Sequence, residues 1–170
     1  ILHRLVGSEM CIRDRSKLSA EDRSRILMNI SGFLLSKKDG ILEANRIDID
    51  RAKSNNISAP MINRLVLTSE KIDQLSRDVE KIAQMEDPLN QTLENWTNPS
   101  NGLQFTKVSV AIGVIGIIYE SRPNVTIDAA CLCLRSGNVS ILRGGSECIE
   151  TNKKLYECCL LYTSDAADDS

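Results

Sequence analysis

Between Ser19 and about Gln84, apolar residues recur at intervals of three and four, the period of helices that bury one stripe. Ser19 followed by Asp22 has the spacing of a capping box: the Ser oxygen takes a free N–H of the first turn, and the acid opposes the positive helix end. Ile26, Ile30 and Phe33 form the stripe that follows, and Gly40 is expected to break or bend this helix. A second helix is expected from Ile41 to about Ser54, with Leu42, Ile49 and Ala52 on one side. Pro60 suits the first turn of a short third helix running through Leu67. The fourth is the clearest, with Ile72, Leu75, Val79 and Ile82 stepping by three, four and three until Asp87-Pro88 ends it. The charged residues of this half read as solvated helix faces.

The pattern then changes. Asn98-Pro99-Ser100-Asn101-Gly102 is a turn cluster, and Gly102 to Val110 alternates like a half-exposed strand. Ile112 to Tyr119 is nearly all apolar and rich in β-branched residues, which predicts a strand buried on both faces of a parallel sheet. Thr126 to Arg135 reads as a helix closed by Ser136-Gly137, with Gly137 in the left-handed cap position. Val139 to Leu142 predicts a second buried strand, and Ser146 is placed to cap a helix starting at Glu147. A strand, a crossover of about twenty residues and a second strand make a parallel, right-handed unit. The loops after both strands, Glu120 to Val125 and Arg143 to Ser146, then open at one carboxyl edge, where open α/β sheets bind ligands.

Composition narrows what such an edge can hold. The 170 residues carry 21 Lys+Arg against 23 Asp+Glu, a net charge of −2, which argues against nucleic acid or an anionic membrane as the main partner. The single histidine, His3, lies at the start of the chain, so no Ser-His-Asp triad, Cys-His pair or His-rich metal site can be assembled in its body. Six cysteines lack the paired spacing of a zinc site and read as free, mostly buried thiols. The stretches Leu5 to Arg15 and Cys159 to Ser170 resemble translated sequencing-adapter read-through. Residues 1–16 and 159–170 are therefore set aside from fold reasoning.

Within the second loop, Arg143-Gly144-Gly145-Ser146-Glu147 has the layout of a phosphate or ribose site. Two glycines admit close backbone approach, a helix start offers N–H groups, and Arg143 can clasp a phosphate. An ordinary glycine-containing loop with a Ser cap fits the same residues. In the first loop, Glu120-Ser121-Arg122-Pro123-Asn124, Asn124 is either an amide donor of the kind an oxyanion site requires or a helix cap. Glu120 and Arg122 read equally as a surface ion pair.

Taken together, GVIGIIYESRPNVTIDAACLCLRSGNVSILRGGSE (Gly113 to Glu147) resembles the gamma-glutamyl phosphate reductase family, the proline-biosynthesis branch of the aldehyde dehydrogenase superfamily. The helical stretches ILEANRIDIDRAK and NRLVLTSEKIDQLSRDVEKIAQMEDPL are similar to that family's N-terminal region. Where the wider superfamily carries Pro-Trp-Asn, this chain has Arg122-Pro123-Asn124, the variant of the reductase branch. The resemblance implies an α/β fold: an N-terminal helical region over 17–98, then over 99–158 the first part of a Rossmann-like parallel sheet of the aldehyde dehydrogenase fold, truncated.

It also implies cytoplasmic, NADPH-dependent reduction of gamma-glutamyl phosphate to glutamate 5-semialdehyde. Asn124 would be the oxyanion donor, Arg143, Gly144, Gly145, Ser146 and Glu147 would bind cofactor, and Glu120 and Arg122 would lie near the substrate. Arg143, in place of the Lys usual there, would suit a 2′-phosphate. The family's nucleophilic Cys lies downstream of this chain, so none of the six cysteines is expected to be catalytic, and the chain alone is expected to be inactive with an apolar sheet face exposed. A homo-oligomer is implied for the full-length enzyme. The alternatives are another aldehyde dehydrogenase or a non-catalytic interaction module; a reading frame continuing past Tyr156 into a lone Cys would separate enzyme from module.

Overall fold

The computed structural model describes residues 18–165, so both terminal stretches set aside above, with His3 and Cys11, lie wholly or partly outside the described residues. In chain order the elements are α1 (Ala20–Ser36), α2 (Lys38–Ser54), α3 (Ala59–Leu65), α4 (Ser69–Gln84), β1 (Thr92–Thr97), β2 (Gln104–Val108), β3 (Val114–Ile118), α5 (Asn124–Arg135), β4 (Val139–Arg143), a 3-10 turn (Ser146–Cys148) and α6 (Ile149–Asp165). Helix α1 packs along α4, and α5 and α6 close the same core, in which Leu27, Leu34, Ile72, Val79, Ile127 and Leu155 are fully buried.

The expected capping box forms at α1: the Ser19 hydroxyl accepts from the Asp22 N–H at 3.0 Å, and the Asp22 carboxylate accepts from the Ser19 N–H at 3.3 Å. The bend after α1 falls at Lys37, and Gly40 lies in the first turn of α2. Leu34 and Ile41 are both buried on either side of Lys37, so the direction change is set by two apolar stripes reaching one core and not by the glycine. Along α2 the buried stripe is Ile41, Ala44, Asn45, Asp48 and Ala52, whereas the expected Leu42 and Ile49 are only half-buried. Helix α3 carries Pro60 in its first turn as expected but stops at Leu65. Helix α4 buries Ile72, Leu75, Val79 and Ile82 and ends at Gln84, before Asp87-Pro88. There the Arg135 guanidinium donates to the Met85 carbonyl, a backbone acceptor a longer helix would have used, and Arg23 pairs with the Asp87 carboxylate at 2.6 Å.

The turn cluster at Asn98–Gly102 joins an antiparallel hairpin of β1 and β2, with Trp96 opposite Phe105 and their rings stacked at 5.1 Å. The sequence pattern revealed only the second strand, and it is exposed on both faces, not half-exposed. The hairpin straddles the division between 98 and 99. Strands β3 and β4 pair in parallel, Val114 beside Val139 through Ile118 beside Arg143. The expectation of two strands buried on both faces is corrected. Helices cover one face, while Ile112 and Ile118 are 83% and 80% exposed and Val114 and Ile141 are also open. This bare apolar face is the one anticipated for a truncated sheet. Helix α5 is the crossover, closed as expected by Gly137 at φ 69°.

Ser146 does not cap a helix at Glu147. It begins the 3-10 turn with no side-chain cap bond, and α6 starts at Ile149. The cap comes from Asp48 on α2, whose carboxylate accepts from the backbone N–H groups of Thr151 at 2.8 Å and Glu150 at 3.3 Å and from the Thr151 hydroxyl at 2.7 Å. A carboxylate with its orphan donors at a helix N-terminus is favoured by both hydrogen bonding and the dipole. Removing it by Asp48→Ala leaves those donors buried and unpaired, so urea denaturation is expected to show a loss of about 3 kcal/mol. A change below about 0.5 kcal/mol would contradict the clamp.

Candidate functional site

The loops that follow β3 and β4 open at the same end of the sheet because the strands are parallel, and the Tyr119 N–H continues the ladder by donating to the Arg143 carbonyl at 3.0 Å. They touch. The Ser121 hydroxyl donates to Glu147 Oε2 at 2.7 Å, and Ser121 is buried while Glu147 is half-buried. The two glycines leave room for close approach: a Cβ on Gly145 would lie 2.6 Å from Ser121 Oγ and 2.5 Å from Glu147 Oε2, and one on Gly144 would crowd the Tyr119 ring and the Asn152 amide. Beneath them the Tyr119 hydroxyl donates to Thr126 at 2.7 Å, and Thr126 donates to Asn152 Oδ1 at 2.9 Å. The Asn152 amide then reaches Cys148 Sγ at 3.2 Å. Burial raises the Tyr119 phenol above its ordinary value, so it stays a neutral donor.

Arg143 and Ser146 are exposed on this rim, and Glu147 is held below the usual carboxylate range, first by the Ser121 hydroxyl. Ser146 and Glu147 also line a cavity of about 230 Å³ with Arg51, Ala52, Asn55 and Ile57. An exposed guanidinium, a hydroxyl, an ionised carboxylate and two residues without Cβ fit the donor set of a nucleotide's ribose and phosphate.

Asn124 is the first residue of α5, exposed, and makes no cap bond. One of its two amide hydrogens goes to Asp128 Oδ2 at 3.1 Å, one turn along, which orients the amide and leaves the other N–H for a ligand. Burial raises the Asp128 carboxyl. Glu120 does not pair with Arg122: it meets Arg64 of α3 at 3.0 Å, and Arg122 donates its backbone N–H to the Glu120 carbonyl at 2.7 Å. Sequence reasoning missed Ser121, Tyr119, Thr126, Asn152 and Arg64. Tyr119, Ser121, Thr126 and Arg64 lie inside the stretches that carry the resemblance with no role assigned to them there, and each of the five is recognisable only by its partner.

No protein-family model matches the chain. The architecture is that of the aldehyde dehydrogenases: a putative aldehyde dehydrogenase from Bacillus subtilis superposes on 88% of this chain and 31% of its own length with a TM-score of 0.67 at 13% identity. Within that fold, the gamma-glutamyl phosphate reductases of Thermotoga maritima and Saccharomyces cerevisiae superpose on 91% of this chain with TM-scores of 0.85 and 0.84, at 32% and 28% identity, over 37% and 39% of their lengths. Gamma-glutamyl phosphate reductase of Thermodesulfovibrio yellowstonii is 39% identical over 92% of this chain, and that of Caulobacter vibrioides 45% identical over 80%. The chain is thus homologous to part of the gamma-glutamyl phosphate reductases and spans about a third of the length of the curated relatives it matches.

Cys131, Cys133, Cys148 and Cys158 are not in disulfides, and burial pushes Cys148 and Cys158 up to about 11 and Cys131 higher still. At pH 8 a thiol of that kind is roughly one part in a thousand thiolate. Ellman's reagent followed by peptide mapping is expected to label these three slowly in the folded chain and promptly after unfolding. Rapid labelling of Cys148 in the folded chain would contradict this.

Proposed function

We propose that the full-length protein carrying this chain reduces gamma-glutamyl phosphate to glutamate 5-semialdehyde with NADPH, and that residues 99–158 are the first part of its cofactor domain. The observation that carries this reading is the meeting of the two loops over one parallel pair, joined by Ser121 and Glu147, in a chain homologous to these reductases. The family implies a nicotinamide cofactor, which supplies hydride when bound.

The chain's own residues have distinct parts. The ionised Glu147 carboxylate accepts from ribose hydroxyls, and Ser146 and the backbone of Gly144 and Gly145 border the same sugar. Arg143 offers a planar fork to a 2′-phosphate, which favours NADPH over NADH. Asn124 donates its remaining amide N–H to the oxygen that gains charge when a thiolate, contributed by residues outside this chain, attacks the acyl carbon and phosphate leaves. Glu120 and Arg122 lie beside that amide on the same loop and face the substrate, a small, doubly charged molecule of a biosynthetic, cytoplasmic reaction. The hairpin of β1 and β2, open on both faces, supports a homo-oligomer in which it contacts a second copy. Neither nucleic acid nor a membrane enters this reading, in keeping with the net charge of −2. Among the described residues no helix is long and apolar enough to cross a membrane.

Three measurements test this. The 170-residue chain by itself is expected to give no semialdehyde-dependent formation of NADPH, while the full-length protein does. In the full-length protein, Asn124→Ala is expected to lower kcat about a hundredfold with little change in NADPH affinity. Arg143→Ala is expected to weaken NADPH about tenfold and NADH hardly at all. Equal losses for both nucleotides would remove the 2′-phosphate assignment.

A further inference from the structure

Ser121 lies between the residues that the resemblance assigns to substrate and has no role of its own there. It is 3% exposed, yet its hydroxyl turns away from its own loop to Glu147 Oε2, 26 positions along the chain. A Cβ on Gly145 would crowd both ends of this bond, so the glycine leaves room for it as it stands. Glu147 otherwise stands on a short segment between the end of β4 and the start of α6. We propose that Ser121 is a positioning residue for dinucleotide binding, acting through Glu147: it fixes the carboxylate over the rim and thereby ties the substrate-side loop to the cofactor-side loop. This rests on the reading of Arg143 to Glu147 as the cofactor loop.

The chemistry is consistent with that division of labour. A carboxylate has about four acceptor positions, so one taken by Ser121 leaves capacity for ligand hydroxyls. A Glu side chain held in one rotamer before the ligand arrives does not lose that freedom on binding.

The test is a double-mutant cycle in the full-length protein, with NADPH affinity read by nucleotide fluorescence titration and kcat and KM measured alongside. Ser121→Ala is expected to weaken NADPH roughly three- to tenfold, the ordering of one flexible side chain, with kcat changing less than about twofold. Glu147→Ala is expected to weaken it more. On the Glu147→Ala background, Ser121→Ala is expected to add nothing, since its effect passes through the Glu147 side chain. If Ser121→Ala does not fold, Ser121→Cys, near in shape and a weak donor, takes its place in the cycle. Additive losses, or a loss from Glu147→Ala with none from Ser121→Ala, would overturn the positioning role and leave the cofactor loop standing. No loss from either would overturn the cofactor-loop reading and this proposal with it.

Discussion

Two polar side chains on one face of α2, Asn45 and Asp48, hold two other chain segments against that helix from inside the core, at 1% and 0% exposure. The Asn45 amide donates to the Leu65 carbonyl at 2.8 Å and to Thr151 Oγ1 at 3.2 Å, and its oxygen accepts from the Leu67 N–H at 2.9 Å. Asp48 takes the N-terminus of α6, with Arg51 3.5 Å away. Buried polar groups are costly unless satisfied, so this cluster has few alternative arrangements. Its consequence reaches the rim. The start of α6 is fixed against α2 and the end of β4 against β3, and Gly144 to Cys148 must span two immobile points. The segment read as a cofactor loop owes its shape to a helix more than ninety positions earlier in the chain.

A second set of buried groups does the same work at the far end of α5. Arg135 donates to Ser24 Oγ at 2.8 Å, to the Ala20 carbonyl at 3.3 Å and to the Met85 carbonyl. Arg23 reaches Asp87 and the Leu18 carbonyl, each at 2.6 Å. A planar guanidinium with several donors can satisfy carbonyls from separate helix ends at once. With its C-terminal turn pinned in this way, α5 is held along the core, and its other end presents Asn124 beside the carboxyl edge of β3. The helical half of the chain, which looked chemically silent, is what positions both loops.

The apolar stripes were legible in the chain because burial of Ile26, Ile72 or Val79 follows directly from a 3.6-residue period. So were the parallel pair, its crossover and the glycine cap after α5, each set by local pattern and connection length. The ends of helices were less so, since α4 stops where Arg23 and Arg135 can serve its last groups and α1 bends where two stripes meet. Strand β1 escaped notice because Thr92 to Thr97 is mostly polar and gains its partner only through the hairpin. Asn45 and Asp48 escaped because a hydrophobic pattern registers polar residues as exposed.

The residues at the rim divide in the same way. That two loops share one edge was determined by the order strand, helix, strand, which any parallel pair with a crossover of that length must obey. Which side chains meet there was decided by the tertiary structure alone: Ser121 with Glu147, Glu120 with Arg64, Asp48 with the start of α6. Those bonds join residues 26, 56 and more than a hundred positions apart. Local sequence carries no trace of such pairings, because a hydroxyl or carboxylate reads the same whether its partner is water or another loop. Only packing the helices against the sheet brings the partners within reach and makes leaving them unpaired costly.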